Sequence, residues 1–183
     1  LSTVEDVEWF SAMVNKKFHG AMKVKLDNDI DFGGVPNAHR PIGTSAHKFG
    51  GIFDGQGHRI KGMVITPDII MENRAYDGVG FFGSVRGGYA DPDWEIENTN
   101  VVIENLIIDS SCSITYDNHW VAGILGHINS MQDGGSVTIR NCGNEATINA
   151  VENANAGIVG VVEDTPLSLN IIGCWNTGDI TAT

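Results

Sequence analysis

The sequence predicts an all-β solenoid, a right-handed parallel β-helix of about four turns with an N-terminal amphipathic capping helix. Three observations predict it. A five-residue word occurs as Val79-Gly80-Phe81-Phe82-Gly83, Ala122-Gly123-Ile124-Leu125-Gly126 and Ala156-Gly157-Ile158-Val159-Gly160. A second word keeps step with it, as Ile103-Glu104-Asn105-Leu106 and Ile139-Arg140-Asn141-Cys142, with degenerate copies at Ile60-Lys61-Gly62-Met63 and Ile171-Ile172-Gly173-Cys174. Helical periodicity, finally, is confined to the first twenty residues, and the rest reads as short strands and turns. A unit too short to bury its own apolar face must stack on copies of itself, so two words in a fixed order define one layer.

Residues 1–20 are assigned to the capping helix. Ser2 followed by Glu5 reads as a capping box, and Val4, Val7, Phe10, Ser11 and Val14 recur at helical spacing. Residues 21–183 are assigned to the β-helix repeats, in a single domain that reads as a piece of a larger protein. Met22-Lys23-Val24-Lys25-Leu26 alternates inward and outward, followed by Ile30 and Phe32. Counted between the words, Ile60 to Gly80, Ile103 to Gly123 and Ile139 to Gly157 span 20, 20 and 18 residues. The return steps from Gly83 to Ile103, Gly126 to Ile139 and Gly160 to Ile171 span 20, 13 and 11, so this reading places all length variation in one corner connection.

Within the second word, Ile103 and Ile139 are expected inward, Glu104 and Arg140 outward, and Asn105 and Asn141 at a bend, where stacked amides can bond from layer to layer about 4.8 Å apart. The next inward position would stack Met63, Leu106, Cys142 and Cys174, which makes the cysteines packing residues. Three cysteines cannot all pair within one chain, although a bridge between Cys142 and Cys174 on adjacent layers is geometrically conceivable. The last word, Cys174-Trp175-Asn176-Thr177-Gly178-Asp179-Ile180-Thr181, reads as the middle of a turn, with a following domain or partner covering its edge.

Composition excludes more than it selects. Eleven Lys plus Arg against 23 Asp plus Glu give a formal charge of −12, which repels nucleic-acid backbones and anionic membranes. Acidic polysaccharides would need calcium bridges, so neutral glycans and protein partners remain, with neighbouring domains of the parent chain. No run of 18 apolar residues occurs, so membrane insertion is not expected.

The segment Phe49-Gly50-Gly51-Ile52-Phe53-Asp54-Gly55-Gln56-Gly57-His58-Arg59-Ile60, with Pro41-Ile42-Gly43, Asp29-Ile30-Asp31 and the Gly-x-x-Gly words, resembles bacterial secreted and surface proteins with GLUG-type repeats. The resemblance covers nearly the whole chain. It implies a right-handed parallel β-helix, a secreted or cell-surface location, and company with multidomain adhesins and polysaccharide-associated proteins. Gly173, where an Asn would be expected, and the long connection after Gly83 depart from that pattern.

Several motifs have structural readings beside functional ones. Gly78-Val79-Gly80-Phe81-Phe82-Gly83 imitates a dinucleotide fingerprint, but no helix follows it and the word recurs as a repeat, so no organic cofactor is expected. Asp27, Asp29 and Asp31 imitate the start of a calcium loop. Phe32 and Ala38 stand where its Gly and bidentate Glu belong, so they read better as a solvated edge and calcium stays a weak candidate. No catalytic residue is assigned: Asp54, His58, Asp109, His119 and His127 do not converge, and His127, aligned with Ser84 and Val161, is expected to be a lone outward side chain. The segment Arg86-Gly87-Gly88-Tyr89-Ala90-Asp91-Pro92-Asp93-Trp94-Glu95 is the most suggestive. Tyr89 and Trp94 beside Asp91 and Asp93 suit a sugar whose apolar face stacks while its hydroxyls find acceptors, and Tyr116, Trp120 and Trp175 offer further aromatic surface. The same aromatics could instead cover the corners of the coil. The resulting expectation is a non-catalytic module presenting a glycan- or protein-binding face, the alternatives being a polysaccharide hydrolase or lyase and a passive stalk.

Overall fold

The computed structural model describes residues 1–16, 21–69, 78–87, 89–91, 96–98, 100–117, 120–128, 135–151, 154–163 and 168–182, with the backbone alone at 89–91 and 96–98. One helix, α1 (Val4–Asn15), precedes a series of short strands. Its N-cap is Thr3, one residue later than the sequence reading: the Thr3 hydroxyl accepts from the Asp6 amide, and the Asp6 carboxylate accepts from the amides of Ser2 and Thr3. Asp is long enough to close the box that Glu usually closes. Val7, Phe10, Ser11 and Val14 form the buried face.

The chain then lays down layer after layer. The first contains β1 (Lys23–Lys25) and β2 (Ile30–Asp31); the second β3 (Ile52–Asp54), β4 (Arg59–Lys61), β5 (Val64–Ile65) and β6 (Phe82–Val85). A hairpin follows, β7 (Tyr89–Asp91) antiparallel to β8 (Ile96–Asn98). The third layer holds β9 (Asn100–Glu104), β10 (Ile107–Ile108), β11 (Ser113–Tyr116), β12 (Val121–Ala122) and β13 (Leu125–Ile128). The fourth repeats it with β14 (Ser136–Arg140), β15 (Gly143–Asn144), β16 (Thr147–Ala150), β17 (Asn155–Ala156) and β18 (Val159–Val162). The fifth begins with β19 (Ser168–Ile172), β20 (Trp175–Asn176) and β21 (Ile180–Ala182).

Apart from the hairpin, every described pairing of strands is parallel and joins one layer to the next. The sheets run β1-β3-β9-β14-β19, β2-β4-β10-β15-β20, β5-β11-β16-β21 and β6-β13-β18, with β12 paired to β17. This parallel, β-rich stacking is consistent with a parallel β-helix. Register follows the words where they are strongest: Ile103 pairs with Ile139 and Ile139 with Ile171, while Leu125 pairs with Phe82 and Val159. The buried column Phe53, Ile103, Ile139 and its neighbour Ile65, Ile114, Ile148 give the interior its apolar spine.

One alignment is corrected. Ile60 is not the counterpart of Ile103; it pairs with Ile30 and Ile108, and Phe53 pairs with Ile103. The extra pair Gln56-Gly57 in the turn after β3 shifts the second layer against the word, and Phe for Ile hides the true match. Met63 therefore lies beside Cys112, whose thiol accepts its amide at 3.3 Å, and not in the column of Leu106 and Cys142. The same shift shows a second variable connection, since the chain from Ile65 to Val79 is longer than that from Ile114 to Val121, although both pairs are in register.

Asn105 and Asn141 occupy the bend with φ of 54° and 52°, a left-handed conformation that Asn tolerates and Gly173 continues at 62°. Their amides form a ladder: Asn141 Nδ2 donates to Asn105 Oδ1 at 3.2 Å and Asn105 Nδ2 to Asp54 Oδ1 at 2.9 Å. Above them Arg140 Nε reaches Glu104 at 2.6 Å on the outer face. All three cysteines are free. Cys142 and Cys174 interact across layers: the neighbouring Cys174 sulfur and burial push the Cys142 thiol up, and the hydrogen bond with Cys142 holds the Cys174 thiol below its ordinary value.

Candidate functional site

The sheet β6-β13-β18 is where long connections begin. The chain leaving β6 runs through Arg86 and Gly87 into the hairpin, and the chains leaving β13 and β18 return to β14 and β19. The floor of this region is polar. Ser84 pairs in register with His127, and His127 with Val161. His127 Nδ1 lies 3.0 Å from Ser84 Oγ, and its Nε2 lies 3.2 Å from Glu163 Oε2. Trp120, held at φ 63°, stacks its ring on the imidazole with centroids 4.6 Å apart.

His127 is thus neither lone nor outward into solvent, contrary to the sequence reading: it and Ser84 are 0% exposed. The serine–histidine–carboxylate sequence resembles the arrangement that activates a nucleophile. With both members buried, no carbonyl carbon can approach Ser84 Oγ in this conformation, and the contacts read as mutual satisfaction of buried polar groups. Glu163 alone of the three is open, its side chain 42% exposed.

Arg86 stands at the root of the hairpin connection. Its amide donates to the Phe49 carbonyl at 3.0 Å, but its Nε is buried without a hydrogen-bond partner among the described residues. A buried unpaired donor is costly, by about 1–3 kcal/mol, and a ligand oxygen is one group that would relieve it. Arg86, Trp120 and the Ser84–His127–Glu163 floor are what sequence reasoning did not join. The signal was present in the register of Ser84 with His127, but a histidine inside a β-stack looks like a surface residue until its covering segments are placed.

The other candidates divide as follows. Tyr89 and Asp91 belong to β7, where Tyr89 pairs with Asn98 and Asp91 with Ile96; their side chains, and Asp93 and Trp94, lie outside the described residues. His119 does too. Tyr116 is 2% exposed, so its ring packs in the interior and offers no face for stacking a sugar. Trp120 is half-buried and retains part of its surface.

The three aspartates of the calcium reading are separately engaged. Asp27 pairs with Lys25, Asp29 with Lys61 and His58, and Asp31 accepts the Gly33 amide; among the described residues no group of three carboxylate, histidine or cysteine side chains could hold a metal ion. The catalytic candidates stay apart as well. Asp54 accepts from Asn105 and the Gln56 amide beside a shallow depression lined by Gln56, Gly57, Asn105, Ile107 and Asn141, whereas Asp109 is bound to Arg59 and Ser111 on another face.

No helix among the described residues is long and apolar enough to cross a membrane. No family model and no curated protein matches the chain. Among solved structures, it is similar to that of a putative immunoglobulin A1 protease from Bacteroides ovatus, at 14% identity and a TM-score of 0.49, over 100% of this chain and 76% of that one.

Proposed function

We propose that the chain is a non-catalytic binding module of a secreted or cell-surface protein, built as a right-handed parallel β-helix of about four turns that presents a face for a neutral glycan or a protein. The observation that carries this reading is Arg86: a buried donor without a partner among the described residues, at the foot of an added hairpin and one layer from a partly open indole on His127. Rigid layers hold the foot, and loops carry the variation, which is how recognition surfaces are commonly mounted. Tyr89, Asp91, Asp93 and Trp94 on the hairpin connection would complete the face with aromatic rings and hydroxyl acceptors. The net charge of −12 favours uncharged ligands over acidic ones.

A screen of immobilised neutral glycans and of candidate protein ligands tests it. Specific binding that falls at least tenfold in both Trp120→Ala and Arg86→Gln, and persists in Trp9→Ala on the exposed face of α1, is the expected result. Binding indifferent to both substitutions, or turnover of a bound glycan, would overturn it.

A further inference from the structure

Among the described residues the fifth layer is the least covered, and two of its exposed residues, Ile171 and Ile180, belong to columns that elsewhere form the core. Ile139 and Ile148 are 0% exposed, while their partners one layer on, Ile171 and Ile180, are 48% and 41% exposed. Ile172, 57% exposed, continues the outward column of Glu104 and Arg140 and is not part of that core. Among the described residues the strands β19, β20 and β21 each pair on one side only, leaving three parallel edges open together. The opposite end differs: the Leu1 nitrogen donates to the Lys25 carbonyl at 2.6 Å and the Asp27 amide to the Leu1 carbonyl at 2.9 Å, so Leu1 lies along β1.

A second amide ladder gives this open face a direction. Ile60 and Ile108 are followed in register by Asn144 and Asn176, so an amide replaces an aliphatic side chain at an interior position. Asn144 Nδ2 uses both of its hydrogens, one on the Ala146 carbonyl of its own layer at 3.2 Å and one on Asn176 Oδ1 of the next at 2.7 Å. Asn176 repeats the first contact, donating to the Gly178 carbonyl at 2.9 Å, and its second hydrogen has no partner among the described residues. At the other end of the ladder Asn144 Oδ1 is buried and unsatisfied among the described residues, because the preceding layer has Ile108 there. The ladder begins with an unpaired acceptor and finishes with an unpaired donor facing the open side.

We propose that the open side of β19, β20 and β21 is a docking surface for one further parallel layer of this same repeat, whose residue opposite Asn176 supplies a side-chain oxygen. Such a layer would bury Ile171 and Ile180 as Ile139 and Ile148 are buried, and would continue the amide ladder with its polarity unchanged. A second copy of the chain fits less well. A two-fold axis would set the edges antiparallel, against every pairing between the layers, and the far end is occupied along β1 by Leu1.

The test appends a copy of residues 152–182 after Thr183, with the copied cysteine replaced by Ala, and follows Cys174 in the otherwise intact chain. Cys174 labelling by a thiol reagent should slow at least tenfold, and amide exchange in 168–172, 175–176 and 180–182 should slow with it. The same extension with Asp in place of its copied Ile171 and Ile180 should leave both rates near those of the parent. Unchanged rates in the first extension, whether or not it folds, overturn the proposal. So does sedimentation of the unextended chain as a dimer in which those strands are already protected, which would assign the surface to a second copy.

Discussion

At the scale of single residues, the recurrent glycines owe their constancy to what stacks over them. A Cβ on Gly123 would fall 2.0 Å from Asn144 Oδ1, and one on Gly157 would fall 2.3 Å from Asn176 Oδ1. In these two copies the first glycine of the word therefore makes room for the interior amides of the following layer, whereas a Cβ on Gly80 would meet the Ala122 carbonyl at 2.6 Å. Gly123→Ala should cost about 1–3 kcal/mol by overpacking. In urea denaturation the double variant Gly123→Ala, Asn144→Ala should lose clearly less than the two single losses combined; additivity would mean that the two side chains do not share this space. The glycines were legible as repeats, but their reason was not, since Asn144 aligns in the chain with isoleucines. The burial of Tyr116 and His127 is hidden in the sequence for a related cause: alternation in a short strand indicates a face, and only the segments packed over that face decide whether it meets solvent.

At the scale of elements, strand identity was readable where the apolar pair Ile103 and Ile139 repeats, and failed where Phe53 substitutes for it and two turn residues are inserted. In the sequence the hairpin β7–β8 shows only as an enlarged connection, because a three-residue strand with one partner leaves almost no periodic signal. Helix α1 was evident from its spacing, but not what it touches. Phe10 meets Phe49 edge-on at 5.9 Å and Phe53 at 6.3 Å, while Ser11 donates to the Arg40 carbonyl at 2.7 Å and Asn15 bridges the Pro41 carbonyl and the Gly43 amide. His39, stacked on Phe81 at 4.8 Å, ties Glu8 of the helix to the Phe81 carbonyl. Truncating Phe10 to Ala removes the apolar centre of this contact and should lower unfolding free energy by about 3–5 kcal/mol. Loss of helical circular dichroism before the β signal on heating would accompany it, whereas a change under about 1 kcal/mol would show that the polar contacts alone hold the helix.

At the scale of the whole molecule, carboxylates spread over the layers tie stability to pH. The hydrogen bond from Lys61 holds Asp29 down to about 2, and the Ser111 amide, with Arg59, holds Asp109 below its usual range. Arg59 also reaches Glu145, so one guanidinium joins carboxylates of the third and fourth layers. Groups depressed in the folded state contribute stability that is complete above the unfolded carboxylate value near 3.9 and is lost as pH falls through the folded value. The denaturation midpoint should accordingly hold steady from about pH 7 to 5 and decline between about pH 4 and 2. Lys61→Met should flatten part of that decline and leave the neutral plateau within about 1 kcal/mol, since Asp29 and Lys61 are both partly exposed and screened. An acid limb identical in the variant would remove Asp29 from the account.

The shared register of β6, β13 and β18 also has a bearing on how such a molecule can change. Their ends, from which the connections leave, are interchangeable footings spaced by one strand separation of about 4.8 Å. A hairpin transplanted from one footing to the next is translated by that step and keeps its direction, without touching a single core column. New surfaces can be composed by exchange of inserts along the stack, much as type is reset in a fixed frame.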